Sequence, residues 1–98
     1  MQNFTDQSEN HSPEQALAVE ILTWLAGEPE LLSRFTALTG VNAGELRALS
    51  QSHGFEAAMI GFIAGHEPTL MAFCHDCGVK PETVSRAWQK LEYDGQVD

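Results

Sequence analysis

The chain has 98 residues, of which 43% are hydrophobic, and its 14 acidic side chains against five basic ones give a formal net charge of −9. A chain of this length suits one domain with a single modest core. A protein with this much negative charge is expected to bind nucleic acid poorly, because affinity for the phosphate backbone comes from Lys and Arg. Anionic membrane surfaces should repel it as well.

The first residues, Met1 to Ser12, show neither the basic start nor the apolar stretch of a signal or transit peptide. The most apolar uncharged run, residues 57–65, is far shorter than the ~20 residues of a membrane-spanning helix. Two cysteines three residues apart do not make a disulfide framework, which fits a reducing compartment. We expect a cytoplasmic protein in which residues 1–11 form a disordered tail and residues 12–98 form one domain.

Helix start and stop signals recur along the rest of the chain. Ser12 can cap a helix, with Gln15 completing a capping box, and Asn42 and Glu45 can form a second such box. Six helices are predicted, from Pro13 up to Gly27, from Glu28-Pro29 up to Gly40, and over residues 42–50, 55–64, 67–77 and 81–93. The fourth is apolar nearly all round, which places it at the centre of the core. No segment shows the period-2 alternation of a strand, so the sequence predicts an all-α fold.

The sequence also matches itself at an offset of 38 residues without a gap. Residues 21–41, ILTWLAGEPELLSRFTALTGV, align with residues 59–79, MIGFIAGHEPTLMAFCHDCGV. The identical pairs are Ala26/Ala64, Gly27/Gly65, Leu32/Leu70, Phe35/Phe73, Gly40/Gly78 and Val41/Val79. We predict a compact six-helix bundle made of two similar three-helix units. The alternative is that unrelated helical hairpins share these residues because the same residue types begin and end helices.

Cys74 and Cys77 lie in the fifth predicted helix and raise the question of a metal or redox site. Reactive cysteine pairs gain a low pKa from a helix N-terminus or nearby cations, whereas this pair lies at a helix C-terminus. A structural zinc needs four ligands, and His66 is about 12 Å away along the helix axis. In the first repeat, Thr36 and Thr39 hold the same two places. We therefore predict packing residues and no metal site, with metal binding by the two thiols as the alternative.

Residues 78–95, GVKPETVSRAWQKLEYDG, resemble the helix-turn-helix of bacterial winged-helix regulators. The resemblance implies a recognition helix within residues 69–93. The side chains that would face DNA are Ser85, Arg86, Gln89 and Lys90. Against this, the same helix carries the acidic residues Glu82, Glu92 and Asp94. In the alternative interpretation Val84, Trp88 and Leu91 form a core stripe, and Arg86 and Lys90 are a solvated pair.

Residues 29–40, PELLSRFTALTG, follow an Ala/Leu-rich first helix and precede a second Phe-x4-Gly segment. This combination resembles a family of small all-helical bacterial proteins that is known only as a domain of unknown function. The resemblance spans roughly residues 12–91. It implies an all-helical fold, and it implies no catalytic residue.

No phosphate-binding glycine loop and no activated nucleophile is recognisable in the sequence. We therefore expect no enzyme activity, no cofactor and no small-molecule ligand. The preferred hypothesis is a non-enzymatic interaction or regulatory module whose partner is another protein. Arg34 and Trp88 are its candidate interaction residues, since Arg and Trp are enriched at interface hot spots. DNA binding through residues 69–93 is the alternative hypothesis.

Overall fold

The computed structural model describes residues 12–97, and it describes burial for residues 12–42 and 44–93. The predicted tail at residues 1–11 and Asp98 lie outside the described residues. The helices are α1 (Pro13–Ala26), α2 (Pro29–Thr39), α3 (Leu46–Leu49), α4 (Phe55–Ala64), α5 (Glu67–Cys77) and α6 (Pro81–Val97). Since no strand occurs between residues 12 and 97, the predicted all-α class with six helices is confirmed.

The predicted capping residues begin two of the helical segments. The Gln15 amide donates to Ser12 Oγ at 3.0 Å at the start of α1. Asn42 and Glu45 form a reciprocal box, in which the Glu45 amide donates to Asn42 Oδ1 at 3.0 Å and the Asn42 amide donates to Glu45 Oε1 at 3.1 Å. This box closes a 3-10 turn, Ala43–Glu45, before the four-residue α3. The prediction of one continuous helix over 42–50 was wrong in that respect, and Gly44 is the residue within it that disfavours a regular α-helix.

Two of the four glycines that end helices within residues 12–97 take the left-handed conformation. Gly40 has φ 78° and Gly78 has φ 69°, and each amide donates to the carbonyl four residues earlier. Gly27 and Gly65 differ, because their φ values are −95° and −85°. After Gly78 the Val79 amide donates to Cys74 O at 3.2 Å. This is the hydrogen bond of a Schellman motif that spans six residues.

The core is centred on α4, as predicted. Its buried residues are Phe55, Met59, Ile60 and Ile63. This helix packs chiefly against α1 and α6 and then against α5. In contrast, α2 packs mainly on α1 and buries one side chain completely. That side chain is Phe35, whose ring meets Phe62 edge-on at a centroid distance of 5.3 Å.

Helix boundaries recur at the 38-residue offset: α1 and α4 end at Ala26 and Ala64, and α2 and α5 cover residues 29–39 and 67–77. The third elements differ, because α3 has four residues and α6 has 17. The pseudo-repeat itself stays a prediction. The last helix is also longer than predicted, ending at Val97 and not at Tyr93, because a glycine at position 95 costs a helix only about 1 kcal/mol.

No single helix in residues 12–97 has both the length and the apolarity to cross a membrane. Taken together, α4 and α5 meet the criteria of length and composition, but the two helices are bent by 104° at the break between them.

Candidate functional site

The outer face of α6 carries all four residues that the helix-turn-helix resemblance assigns to DNA. Their side chains, those of Ser85, Arg86, Gln89 and Lys90, are all exposed. The opposite face packs on the core through Val84, which is fully buried, and through Trp88 and Leu91, which are half-buried. The helix therefore presents a polar face to solvent and an apolar face to the core.

Trp88 lies directly over the backbone of α4. A Cβ atom built at Gly61 would be 3.0 Å from Cη2 and Cζ3 of the indole ring, so the absence of a side chain at Gly61 makes room for it. The indole is half-buried in this contact. It joins α4 to α6 and leaves part of its surface accessible.

An open groove runs between the first turns of α1 and the middle of α6. Its volume is about 290 Å³. The lining residues are Pro13, Glu14, Leu17, Thr83, Arg86, Ala87 and Lys90. We call this the α1–α6 groove. Leu17, which is only 7% exposed, joins the groove to the core beneath it.

Of the two basic residues that line the α1–α6 groove, Lys90 forms an ion pair and Arg86 does not, within residues 12–93. Lys90 Nζ lies 3.6 Å from Glu14 Oε1, and the side chains are 56% and 12% exposed respectively. Glu14 is therefore the sheltered member of this ion pair. Arg86 also lines the groove and forms no ion pair within residues 12–93.

Arg86 lies between two hollows. On its other side is a shallower one, of about 330 Å³, which residues of α6 alone line: Pro81, Glu82, Ser85, Arg86 and Gln89. Lys80, immediately before α6, together with Arg86 and Lys90 makes up three of the five basic residues of the whole chain. Most of the basic residues of this acidic protein thus lie on α6 or immediately before it, and the acidic residue Glu82 lies on the same helix.

The two cysteines pack against the core at the end of α5. Cys74 is buried and Cys77 is half-buried. Burial raises the pKa of the Cys74 thiol, and Cys77 and Glu82 raise it further. Burial likewise raises the pKa of Cys77, with the Glu20 and Asp76 carboxylates adding to the effect. Both groups are therefore thiols at neutral pH, which makes them weak nucleophiles and weak metal ligands.

Within the described part of the chain, no three His, Cys, Asp or Glu side chains lie close enough to hold a metal ion. His66, one of the histidines considered with the thiols, has its Nδ1 atom 2.7 Å from Thr69 Oγ1. Thr69 is itself buried, so this hydrogen bond satisfies its hydroxyl group inside the core.

Sequence reasoning missed a hydrogen bond that connects the two halves of the chain. Trp24 Nε1 donates to Asp76 Oδ2 at 2.9 Å, and its ring meets Phe73 edge-on at 5.4 Å. The Trp24 hydrogen bond lowers the pKa of Asp76, and His75 lowers it further. The available signal was the position of Asp76 in the last turn of α5, where a helix dipole disfavours a carboxylate that has no compensating donor.

Arg34, the other candidate interaction residue, is exposed on α2. The i−4 ion pair with Glu30 that would be its ordinary surface role is absent from the described residues. Among residues 12–42 and 44–93, four large apolar side chains are exposed as well, those of Val19, Leu38, Met71 and Tyr93. They lie on four different helices, whereas the α1–α6 groove brings apolar residues of two helices together.

The sequence profile of a family described as "Protein of unknown function (DUF3572)" matches residues 11–94. No curated protein and no solved structure matches the chain significantly.

Proposed function

We propose that this chain, which belongs to the DUF3572 family of unknown function, is a non-enzymatic module that binds another protein through the α1–α6 groove. The observation that carries the proposal is the groove itself. It is open to solvent, it has an apolar floor at Pro13, Leu17 and Ala87, and at its rim lies Arg86, which forms no ion pair within residues 12–93.

The shape of the groove favours a segment of protein over a small molecule. Sites for small molecules have volumes of about 300–1,000 Å³ and bury most of the ligand surface. The α1–α6 groove, at about 290 Å³, lies just below this range and is open to solvent. Grooves between helices accept amphipathic segments whose apolar side chains anchor in them, and arginine is among the residues that dominate such interfaces.

DNA binding through α6 is the second candidate, because Ser85, Arg86, Gln89 and Lys90 are exposed together. Their charges favour it less. Lys90 is paired with Glu14, and Glu82 shares the second hollow with Arg86. A recognition helix gains its affinity from cations that are free to neutralise phosphates. The predicted cytoplasmic location is compatible with either function and stays a prediction.

The test is an affinity capture from lysate of the native host, with and without nuclease, using three forms of the full chain. These are the wild type, Ala87→Gln, which fills the groove, and Ala37→Gln, which makes the same change at an exposed position on α2. Circular dichroism confirms that each variant is folded.

We expect a stoichiometric protein that survives nuclease, is captured equally by Ala37→Gln and is lost with Ala87→Gln. Equal capture by all three forms would show that the groove is not the binding site. Capture of DNA that falls at raised salt, and that is lost when Arg86→Ala is added as a fourth form, would establish the second candidate instead.

A further inference from the structure

We infer that the α1–α6 groove takes a partner segment in which a large apolar side chain stands next to a carboxylate, the apolar group seated over Leu17 and Ala87 and the carboxylate bound by Arg86. This inference rests on the proposed function and specifies the chemistry of its partner.

The floor of the groove requires an apolar group. Pro13 has no amide hydrogen to offer, and Leu17 and Ala87 present only hydrocarbon. Leu17 is nearly buried and is continuous with the core. An apolar side chain bound above Leu17 therefore buries both its own surface and the apolar surface of the groove floor that is otherwise exposed to water.

The rim requires an anion because its charges are not balanced. Lys90 already neutralises Glu14, so the pair adds little net charge. Arg86 has no such partner within residues 12–93. Glu82 lines the hollow on its other side but forms no ion pair with it. A guanidinium group presents a planar fork that fits a carboxylate through two parallel hydrogen bonds, and Arg86 lines the groove with an exposed side chain.

A basic segment fits the same groove poorly. Glu14 is the carboxylate among the lining residues, and it is sheltered and already paired. A cationic side chain would find no free acceptor there and would lie close to Arg86. The overall charge of −9 does not reverse this preference, because at physiological salt the Debye length is about 8 Å and the more distant carboxylates are largely screened.

The experiment uses a phage-displayed library of random dodecapeptides, selected on the full-length protein. We expect enriched sequences to share a large apolar residue within a few positions of Asp or Glu. A fluorescein-labelled peptide of the enriched sequence is then titrated by fluorescence polarisation against wild type, Arg86→Glu and Arg47→Glu. The last variant is the matched control, because Arg47 is exposed on α3 outside the groove.

We expect Arg86→Glu to weaken binding at least tenfold and Arg47→Glu to leave it unchanged. Replacing the peptide carboxylate by an amide should produce the same loss on the wild type, and replacing it by lysine should restore binding to Arg86→Glu. Ala87→Gln should abolish binding of every peptide that seats its apolar residue in the groove.

Several results would overturn the inference. Enrichment of basic peptides, or binding that is indifferent to Arg86→Glu, would show that the recognition chemistry is wrong. No enrichment on the wild type would also reject it. A captured host protein that is lost with Ala87→Gln but retained by Arg86→Glu would leave the proposed function intact and refute this inference alone.

Discussion

Four glycines end helices within residues 12–97, and at three of them, Gly27, Gly40 and Gly78, the same substitution should have different effects for one reason. Gly40 and Gly78 have positive φ, whereas Gly27 has φ −95°. A Cβ atom added at Gly40 or Gly78 would meet no atom within 4 Å, and at Gly27 it would make an ordinary contact of 3.6 Å with Trp24 O. Steric clash with neighbouring residues therefore plays no part, and backbone conformation alone distinguishes the three sites.

The expected magnitudes follow from two terms. An alanine in the left-handed conformation costs about 1–2 kcal/mol. Replacing glycine by alanine also reduces the entropy of the unfolded chain, which stabilises the protein by about 0.4–1 kcal/mol wherever the backbone accepts alanine. Gly27→Ala should therefore stabilise the protein by that amount. Gly40→Ala and Gly78→Ala should each be less stable than Gly27→Ala by about 1–2 kcal/mol, since the unfolded-state term is common to all three.

Thermal unfolding followed by circular dichroism at 222 nm measures these differences. For a domain of this size, 1 kcal/mol corresponds to about 4–8 °C in Tm. Gly27→Ala should melt above the wild type, and the other two variants should melt roughly 4–16 °C below Gly27→Ala. If all three variants shift in the same direction by similar amounts, the assignment of left-handed helix ends to Gly40 and Gly78 is wrong.

Two further predictions concern the end of α5. Since the folded-state pKa of Asp76 is lowered, its ionised form contributes stability above the ordinary Asp pKa of about 3.9, and this contribution is lost as pH falls through the folded-state pKa. The urea midpoint of Asp76→Asn should accordingly lie below that of the wild type at pH 7, and the gap should close in acid; a gap independent of pH would contradict this. Cys77 should react with Ellman's reagent before Cys74, because it is less buried, and both should react more slowly than a free thiol because their pKa values are raised; faster labelling of Cys74, read by mass spectrometry, would argue against the packing described here.

Local signals account for the parts of the fold that the sequence predicts well. The bounds of α5 were correct at both ends, because Pro68 lies in its first turn and Gly78 follows its last residue. At the end of α6 the corresponding glycine, Gly95, lies within the helix, so the predicted end is four residues too early. Leu38 shows the limit of periodicity, since it follows the apolar spacing of α2 and yet is 63% exposed. Its position near the end of a peripheral helix leaves nothing for it to pack against.

The candidate site was predictable only in part. Exposure of Arg86 and Lys90 follows from the helical period of α6, because Val84 and Trp88 fix which face is buried. The groove does not follow, because its two walls come from opposite ends of the chain. Glu14 lies beside Lys90 because of the way α1 packs against α6. No local pattern in the sequence specifies that arrangement.

The two tryptophans are placed so that each reports on a different contact of the fold. Trp24 joins α1 to α5 through Asp76 and Phe73, and Trp88 joins α6 to α4 over Gly61. Their indole fluorescence therefore separates two folding events, the docking of the N-terminal helix and the closure of the C-terminal hairpin on the central helix. Variants that keep one tryptophan and carry phenylalanine in place of the other would allow the order of these events to be timed in a stopped-flow experiment without any added dye.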